Sequence, residues 1–214
     1  MEIFTGQFIL FEILDYKISL IEFLGTLSGL MAVWLAAKNN IFTWPIGIVN
    51  VICFFLIFRE SHLFSDMFLQ VYFFGVAIYG WLFWKKTAAK NEPTISDIRL
   101  KPRLILLFVT LVFSVFVGWM MGNVHIWFSN IFPEPAAYPY ADSFVAVASV
   151  IANTLMARKK VESWIMWIVI DVVATVIYYQ KNILLISVEF FIFTLLAVFG
   201  LINWLKLKEN EGRE

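Results

Sequence analysis

Hydrophobic positions in this chain come in runs long enough to cross a bilayer, which takes about 20 apolar residues. Seven runs qualify, 20–37, 41–58, 63–84, 103–122, 143–157, 163–180 and 183–205, with polar or basic residues in the breaks between them. The pattern predicts an all-α integral membrane protein with seven transmembrane helices. An earlier apolar stretch, 3–14, is interrupted by Gln7 and Glu12 and has neither a basic start nor a small-residue cleavage site. It reads as an interfacial helix rather than a signal peptide.

The composition agrees. Of 214 residues 61% are hydrophobic and 15% charged, too little polar surface to cover a soluble domain. Net formal charge is zero, which leaves no electrostatic footprint for nucleic acid. The lone Cys53 falls inside a span and has no intrachain disulfide partner. The basic residues set the orientation, because cytoplasmic loops retain Lys and Arg. With the N-terminus outside and the C-terminus inside, thirteen of the sixteen basic residues face the cytoplasm, and only Lys17, Arg59 and Lys181 lie outside.

The chain also repeats itself. At a constant offset of 120, Lys38 aligns with Arg158, Trp44 with Trp164, Gly80 with Gly200, Trp84 with Trp204 and Lys86 with Lys206, without a gap. Two three-helix units of the same membrane orientation are expected around one linker helix, a 3+1+3 plan used by transporters. The expected segments are an N-terminal interfacial piece 1–19, a first repeat 20–86, a cytoplasmic loop, linker helix and outer loop over 87–138, a second repeat 139–206, and a cytoplasmic tail 207–214. A pore is expected between the repeats near mid-membrane.

Chemistry concentrates on three helix faces. With about 100° of turn per residue, Trp164, Trp167, Asp171, Thr175 and Tyr178 share one stripe, opposite an aliphatic face that includes Ile165, Ile168, Val172 and Val176. Glu189, Phe193, Leu196, Gly200 and Asn203 share another. Asp66, Gln70, Phe73, Ala77, Gly80 and Trp84 form the third. An acid inside a span costs roughly 2.5–3.5 kcal/mol on insertion scales, so Asp171 and Glu189 need a reason to be there. The candidate solute-binding residues are Trp164, Trp167, Glu189, Asp171, Gln70, Asn203 and Tyr178. Glu162, Asp66, Asn50 and Asn153 are candidates for a gate or for positioning that site. The competing readings are structural: an interfacial anchor for Trp164, helix-packing hydrogen bonds for the acids and amides, and a solvated partner of Arg158 for Glu162.

Catalytic signatures are missing. No phosphate-cradling loop, nucleophile elbow or His-rich metal cluster is present, so neither an enzyme, a cofactor nor a metal is expected. All basic residues map to span ends and loops, so a phosphate would find no partner at mid-membrane. A cation would, because Trp and Tyr faces attract cations and stack on flat rings while a carboxylate balances the charge. The expected solute is a small, unphosphorylated, cationic or hydrogen-bond-rich aromatic molecule.

Taken together, "FLQVYFFGVAIYGWLFW", "YADSF", "RKKVESWIMW", "SVEFF" and Gly200 with Trp204 resemble the PnuC family of bacterial vitamin-precursor transporters, over about 20–206. The resemblance implies a SWEET-like seven-helix fold, a homotrimer as the expected assembly, and location in the bacterial inner membrane. It also implies facilitated diffusion of nicotinamide riboside, trapped afterwards by a cytoplasmic kinase. The family's Trp-x-x-Trp falls on Trp164 and Trp167, its leading Glu on Glu162, its segment-seven acid on Glu189 and its segment-three Gln on Gln70. Asp171 stands where nicotinamide riboside members carry Asn, and Phe199 precedes Gly200 where some carry Asn. Thiamine or riboflavin transport therefore stays open, as does proton coupling through Asp171 or Glu189. A retinal receptor would need a mid-span lysine, which segment seven lacks between Ile183 and Leu205.

Overall fold

The computed structural model describes residues 9–13, 16–60, 64–89, 95–130, 132, 134–181 and 183–211. Two strands, β1 (Ile9–Ile13) and β2 (Tyr16–Ser19), precede seven helices: α1 (Leu20–Ala37), α2 (Thr43–Glu60), α3 (Phe64–Ala88), α4 (Leu100–Trp127), α5 (Pro139–Ala157), α6 (Glu162–Gln180) and α7 (Leu184–Glu211). Among the described residues, seven helices are long and apolar enough to cross a membrane, as the hydrophobic runs predict. The chain divides into two compact units, Met1–Glu92 and Pro93–Glu214.

The expected interfacial helix over 3–14 is corrected by the structure. Ile9–Ile13 is a strand, paired antiparallel with Tyr16–Ser19 in a register that sets Glu12 opposite Lys17. Residues 1–8 lie outside the described residues. Ile9, Phe11 and Ile13, and then Tyr16 and Ile18, place branched and aromatic residues at alternate positions, a two-residue period that suits a pleated strand better than a helix. Ser19 closes the hairpin and opens α1 through a capping box: its backbone N–H donates to Glu22 Oε2 at 2.8 Å, while Glu22 N–H donates to Ser19 Oγ at 3.3 Å.

In the first unit α2 packs against both α1 and α3. The α1 contact is close at Gly25, where an added Cβ would lie 3.2 Å from the Cys53 Cβ and from the Phe54 ring. Two polar side chains of α2 secure it: Asn50 Nδ2 donates to the Gly25 carbonyl at 2.8 Å, and Thr43 Oγ1 to that of Ala32 at 2.8 Å. The α3 contact is closer still. The Trp44 indole lies where a Cβ on Gly80 would be, 2.4 Å from its nearest ring atom, and Trp84 meets Trp44 edge to face at 5.4 Å and 89°.

In the second unit α5 packs against α4 and α6, and α6 against α7. Gly118 of α4 admits Tyr140, and Ala148, Ala152 and Ile170 form a small core between α5 and α6. At the α6–α7 contact the seam of the first unit recurs. Trp164 lies over Gly200, 2.6 Å from where a Cβ would be, and Trp204 meets Trp164 edge to face at 5.5 Å and 84°.

The turns feeding these seams match bond for bond. Asn40 N–H donates to Leu35 O at 2.9 Å and Asn39 N–H to Ala36 O at 2.8 Å; Lys160 N–H donates to Leu155 O at 3.0 Å and Lys159 N–H to Met156 O at 3.0 Å. Both are Schellman closures with a left-handed residue past the helix end, Asn39 at φ 54° and Lys159 at φ 53°. Asparagine tolerates that region through its short side chain, and lysine gains no such help. The internal repeat read from five aligned residues thus extends to backbone conformation.

Gly200→Ala and Gly80→Ala each push a methyl group into an indole with no room to retreat, which costs about 1–3 kcal/mol for an overpacked core. Thermal unfolding of the detergent-solubilised protein should show both variants melting below the parent, and Gly75→Ala, where a Cβ meets nothing within 4 Å, should melt with it.

Candidate solute site

Five residues of α6 were expected on one stripe, and the structure grades them by depth. Trp164 is 1% exposed and Asp171 is 4% exposed. Trp167 is half-buried and packs on the core of Ala148, Ala152 and Ile170. Thr175 Oγ1 donates to the Asp171 carbonyl at 2.7 Å, and the Thr175 carbonyl accepts from Ser187 Oγ of α7 at 2.9 Å. Tyr178 stacks on Phe190 of α7, with ring centres 5.4 Å apart and planes 7° from parallel. The opposite face is exposed at Ile165, Val169, Val172 and Val176, while Ile168, expected to face lipid, is half-buried.

The second unit also holds Glu189 and Asn203 on α7 and Asn153 on α5, all half-buried. Gln70 and Asn50 belong to the first unit. Gln70 starts the inward stripe of α3 that continues through Phe73, Ala77, Gly80 and Trp84, and Asn50 is engaged with the Gly25 carbonyl. Asp66 falls on α3, and its side chain lies outside the described residues.

Glu162 departs from expectation. It opens α6, is 6% exposed, and pairs with Arg103 of α4 instead of Arg158, which is exposed. The same Oε1 accepts the Ile98 N–H at 2.9 Å. Around it the segment 95–99 is fastened to the α5–α6 turn. Ser96 N–H donates to Lys159 O at 3.1 Å, Val161 N–H to Ser96 O at 3.1 Å, and Lys160 Nζ to Ser96 Oγ at 2.8 Å. Two bonds tie it to the end of α7: Ile95 N–H donates to Glu211 Oε2 at 3.3 Å, and Lys208 pairs with Asp97. None of these links is local in sequence, so spacing could not reveal them. The charges themselves were visible, an acid opening α6 and a base near the start of α4.

Chemically, the stripe offers π faces and a buried carboxyl group, and every Lys and Arg of the helices sits near a helix end. Such a surface is suited in charge and shape to an organic cation and has no basic group to offer a phosphate. Among the described residues no group of three or more His, Cys, Asp or Glu is placed to hold a metal.

Comparison with known proteins puts this geometry in context. Residues 19–206 match the model of the nicotinamide mononucleotide transporter family. The nicotinamide riboside transporter PnuC of Escherichia coli (strain K12) is 32% identical, over 99% of this chain and 98% of that protein. The riboflavin/roseoflavin transporter RibM of Streptomyces davaonensis is 22% identical over 95% of this chain and 92% of its own length. In three dimensions the chain resembles a crystal structure of the vitamin B3 transporter PnuC with a TM-score of 0.64 at 19% identity, covering 88% of this chain and 81% of that one.

Two outcomes test the fastening of 95–99. Glu162→Gln removes the charge from a buried acceptor and leaves Arg103 without a counter-charge, its bond to the Ile98 carbonyl remaining, a loss of about 1–3 kcal/mol. Tryptic cleavage at Arg99 should rise several-fold, whereas Arg158→Gln should leave it unchanged. Burial pushes the Lys159 ammonium from 10.5 down to about 8, an effect that Glu211 partly opposes. The unfolded chain then binds more protons between those values, so stability rises with pH from about 8 to 10.5. Lys159→Asn, which copies the first unit's Asn39, should flatten that rise in melting temperature and raise stability at pH 7.

Proposed function

We propose, from the premise that the chain belongs to the nicotinamide mononucleotide transporter family, that it is a multi-pass inner-membrane carrier moving nicotinamide riboside by facilitated diffusion. The observation that carries this reading is the 32% identity to Escherichia coli PnuC across essentially the full length of both chains. The family's description names a phosphorylated nucleotide, and that relative's name a nucleoside. The absence of Lys and Arg from mid-helix positions favours the nucleoside, because a phosphate dianion there would be desolvated without a partner.

In this proposal Trp167 and Tyr178 present ring faces to the pyridinium, and Asp171 and Glu189 balance its charge. Asn203 and Asn153 of the same unit offer hydrogen bonds. Trp164 acts from within the α6–α7 seam, fixing the angle at which Trp167 is presented, and Glu162 holds the end of α6. Asp66 and Asn50 serve the first unit in the same supporting sense. An N-terminus outside, assembly as a homotrimer and capture of the solute by a cytoplasmic kinase complete the proposal. Thiamine is the second reading, favoured by Asp171, because a carboxyl group at this depth suits any ring cation.

Calorimetric titration of the purified protein with nicotinamide riboside, thiamine and riboflavin tests it, with tryptophan quenching as a second probe. Nicotinamide riboside should bind most tightly, and Trp167→Ala and Asp171→Asn should each weaken it about tenfold, equivalent to about 1.4 kcal/mol. Preference for thiamine would transfer the assignment to that vitamin, and preference for neutral riboflavin would overturn the cationic site.

A further inference from the structure

At the end of α6 opposite Glu162, an ammonium already occupies a small cradle. Lys181, which caps the helix, places Nζ 3.1 Å from both carboxylate oxygens of Asp142. The same Nζ lies 5.5 Å from the ring centres of both Tyr138 and Tyr178. Asp142 sits in the first turn of α5, where the helix dipole favours an anion. A carboxylate with two π faces is the donor set that recognises organic cations. Here it is filled by a side chain of the protein itself.

The latch is weak by construction. The Lys181 side chain is 24% exposed and that of Asp142 is 47% exposed, so solvent screens the pair, and such pairs contribute about 0–1 kcal/mol. A primary ammonium is strongly hydrated and meets tyrosine faces poorly, whereas a flat, delocalised ring cation keeps less water and stacks. Tyr178 also links this end to the deeper stripe: it lies seven residues from Asp171 on the same helix, about 10 Å along the axis.

We infer that Asp142, Tyr138 and Tyr178 form a peripheral binding site for cationic heteroaromatic solutes, with Lys181 as a tethered competitor that an arriving cation displaces. The inference rests on the proposed cationic solute, and it adds a station before the α6 stripe. Tyr178 then serves both, receiving the ring at the periphery and passing it inward. The tethered ammonium keeps the acid paired when no solute is present and sets a threshold that neutral rings, gaining nothing from Asp142, do not cross.

The test titrates the full-length protein in nanodiscs with N-methylpyridinium, a ring cation, and with neutral nicotinamide. In Lys181→Met the competitor is gone, and N-methylpyridinium should bind at least fivefold more tightly than in the parent, with nicotinamide unchanged. Lys181→Arg keeps a cation in place and should stay near the parent, and Asp142→Asn should remove the gain when combined with Lys181→Met. Equal N-methylpyridinium affinity in parent and Lys181→Met, absence of binding in both, or equal tightening for nicotinamide overturns the cradle. Nicotinamide riboside titrated in parallel separates the two claims. If it fails to bind while N-methylpyridinium responds to Lys181, the transport assignment falls and the cradle stands; the converse removes the cradle alone.

Discussion

Lipid tails are as apolar as leucine, so helices in a bilayer gain little by hiding from their surroundings and must gain from contact itself. In this chain the close contact that recurs is an indole laid on a glycine, Trp44 on Gly80 and Trp164 on Gly200, each braced edge to face by a second tryptophan at 84–89°. The rest of each unit follows from that seam. A helix held so closely at one end has its remaining stripe aimed in a fixed direction, which is why the inward positions of α3 run straight from Gln70 to Trp84. The seam outweighs a cost that it imposes twice: the Nε1 of Trp44 and of Trp164 is buried with no hydrogen-bond partner among the described residues, a loss of about 1–3 kcal/mol apiece.

The second unit adds a polar fastening that the first does not copy. Phe42 occupies the repeat position of Glu162, so the carboxylate that collects Arg103 and the Ile98 N–H is peculiar to the second unit. Its geometry is economical in one respect and incomplete in another. A single oxygen accepts both donors, while Glu162 Oε2 and Arg103 Nε stay buried without partners. A bidentate pair would be stiffer. The single-oxygen arrangement leaves the segment 95–99 bound by backbone pairing to the α5–α6 turn and by charge to α6 and α7, so a shift of the turn carries the segment with it.

How much of this was legible in the sequence depends on the range of the interaction involved. Span number and inward faces are set by local periodicity, and the seven helices and the stripes on α3 and α6 appear where the pattern placed them. The repeat was visible in Trp44/Trp164 and Gly80/Gly200, but the matching left-handed turns were not, since Asn39 and Lys159 share no side-chain chemistry. The hairpin at 9–19 is hard to read from sequence because Leu10 breaks the two-residue period of Ile9, Phe11 and Ile13, and a mostly apolar stretch is compatible with either helix or strand. Periodicity also fails to say what a face meets. Trp164 and Trp167 lie on one stripe, yet one is enclosed by α7 and the other only half-covered. Arg103 and Glu162 stand 59 residues apart, and only the fold brings them together.

The repeat gives a way to separate residues that build the helix units from residues that serve a solute. Positions shared by both units, Trp44/Trp164, Gly80/Gly200 and Trp84/Trp204, account for the seam, and burial follows the same pairs. Positions where the second unit departs are not needed to make a three-helix unit of this kind, because the first unit folds without them. Gly47 stands where the second unit has Trp167, Val51 where it has Asp171, Phe58 where it has Tyr178, and Leu69 where it has Glu189. The difference at Gly47 is not forced by space, since a Cβ there would meet only the Ala32 Cβ, at 3.9 Å. Nor is a carboxyl group at Asp171 a packing requirement, since Val51 is buried at the equivalent position. An aromatic face and two acids have been added to a unit whose twin is held together by the same seam without them, and the insertion cost of an acid in a span, roughly 2.5–3.5 kcal/mol, calls for a return outside folding. Charge balance for a bound cation, as proposed above, would supply one.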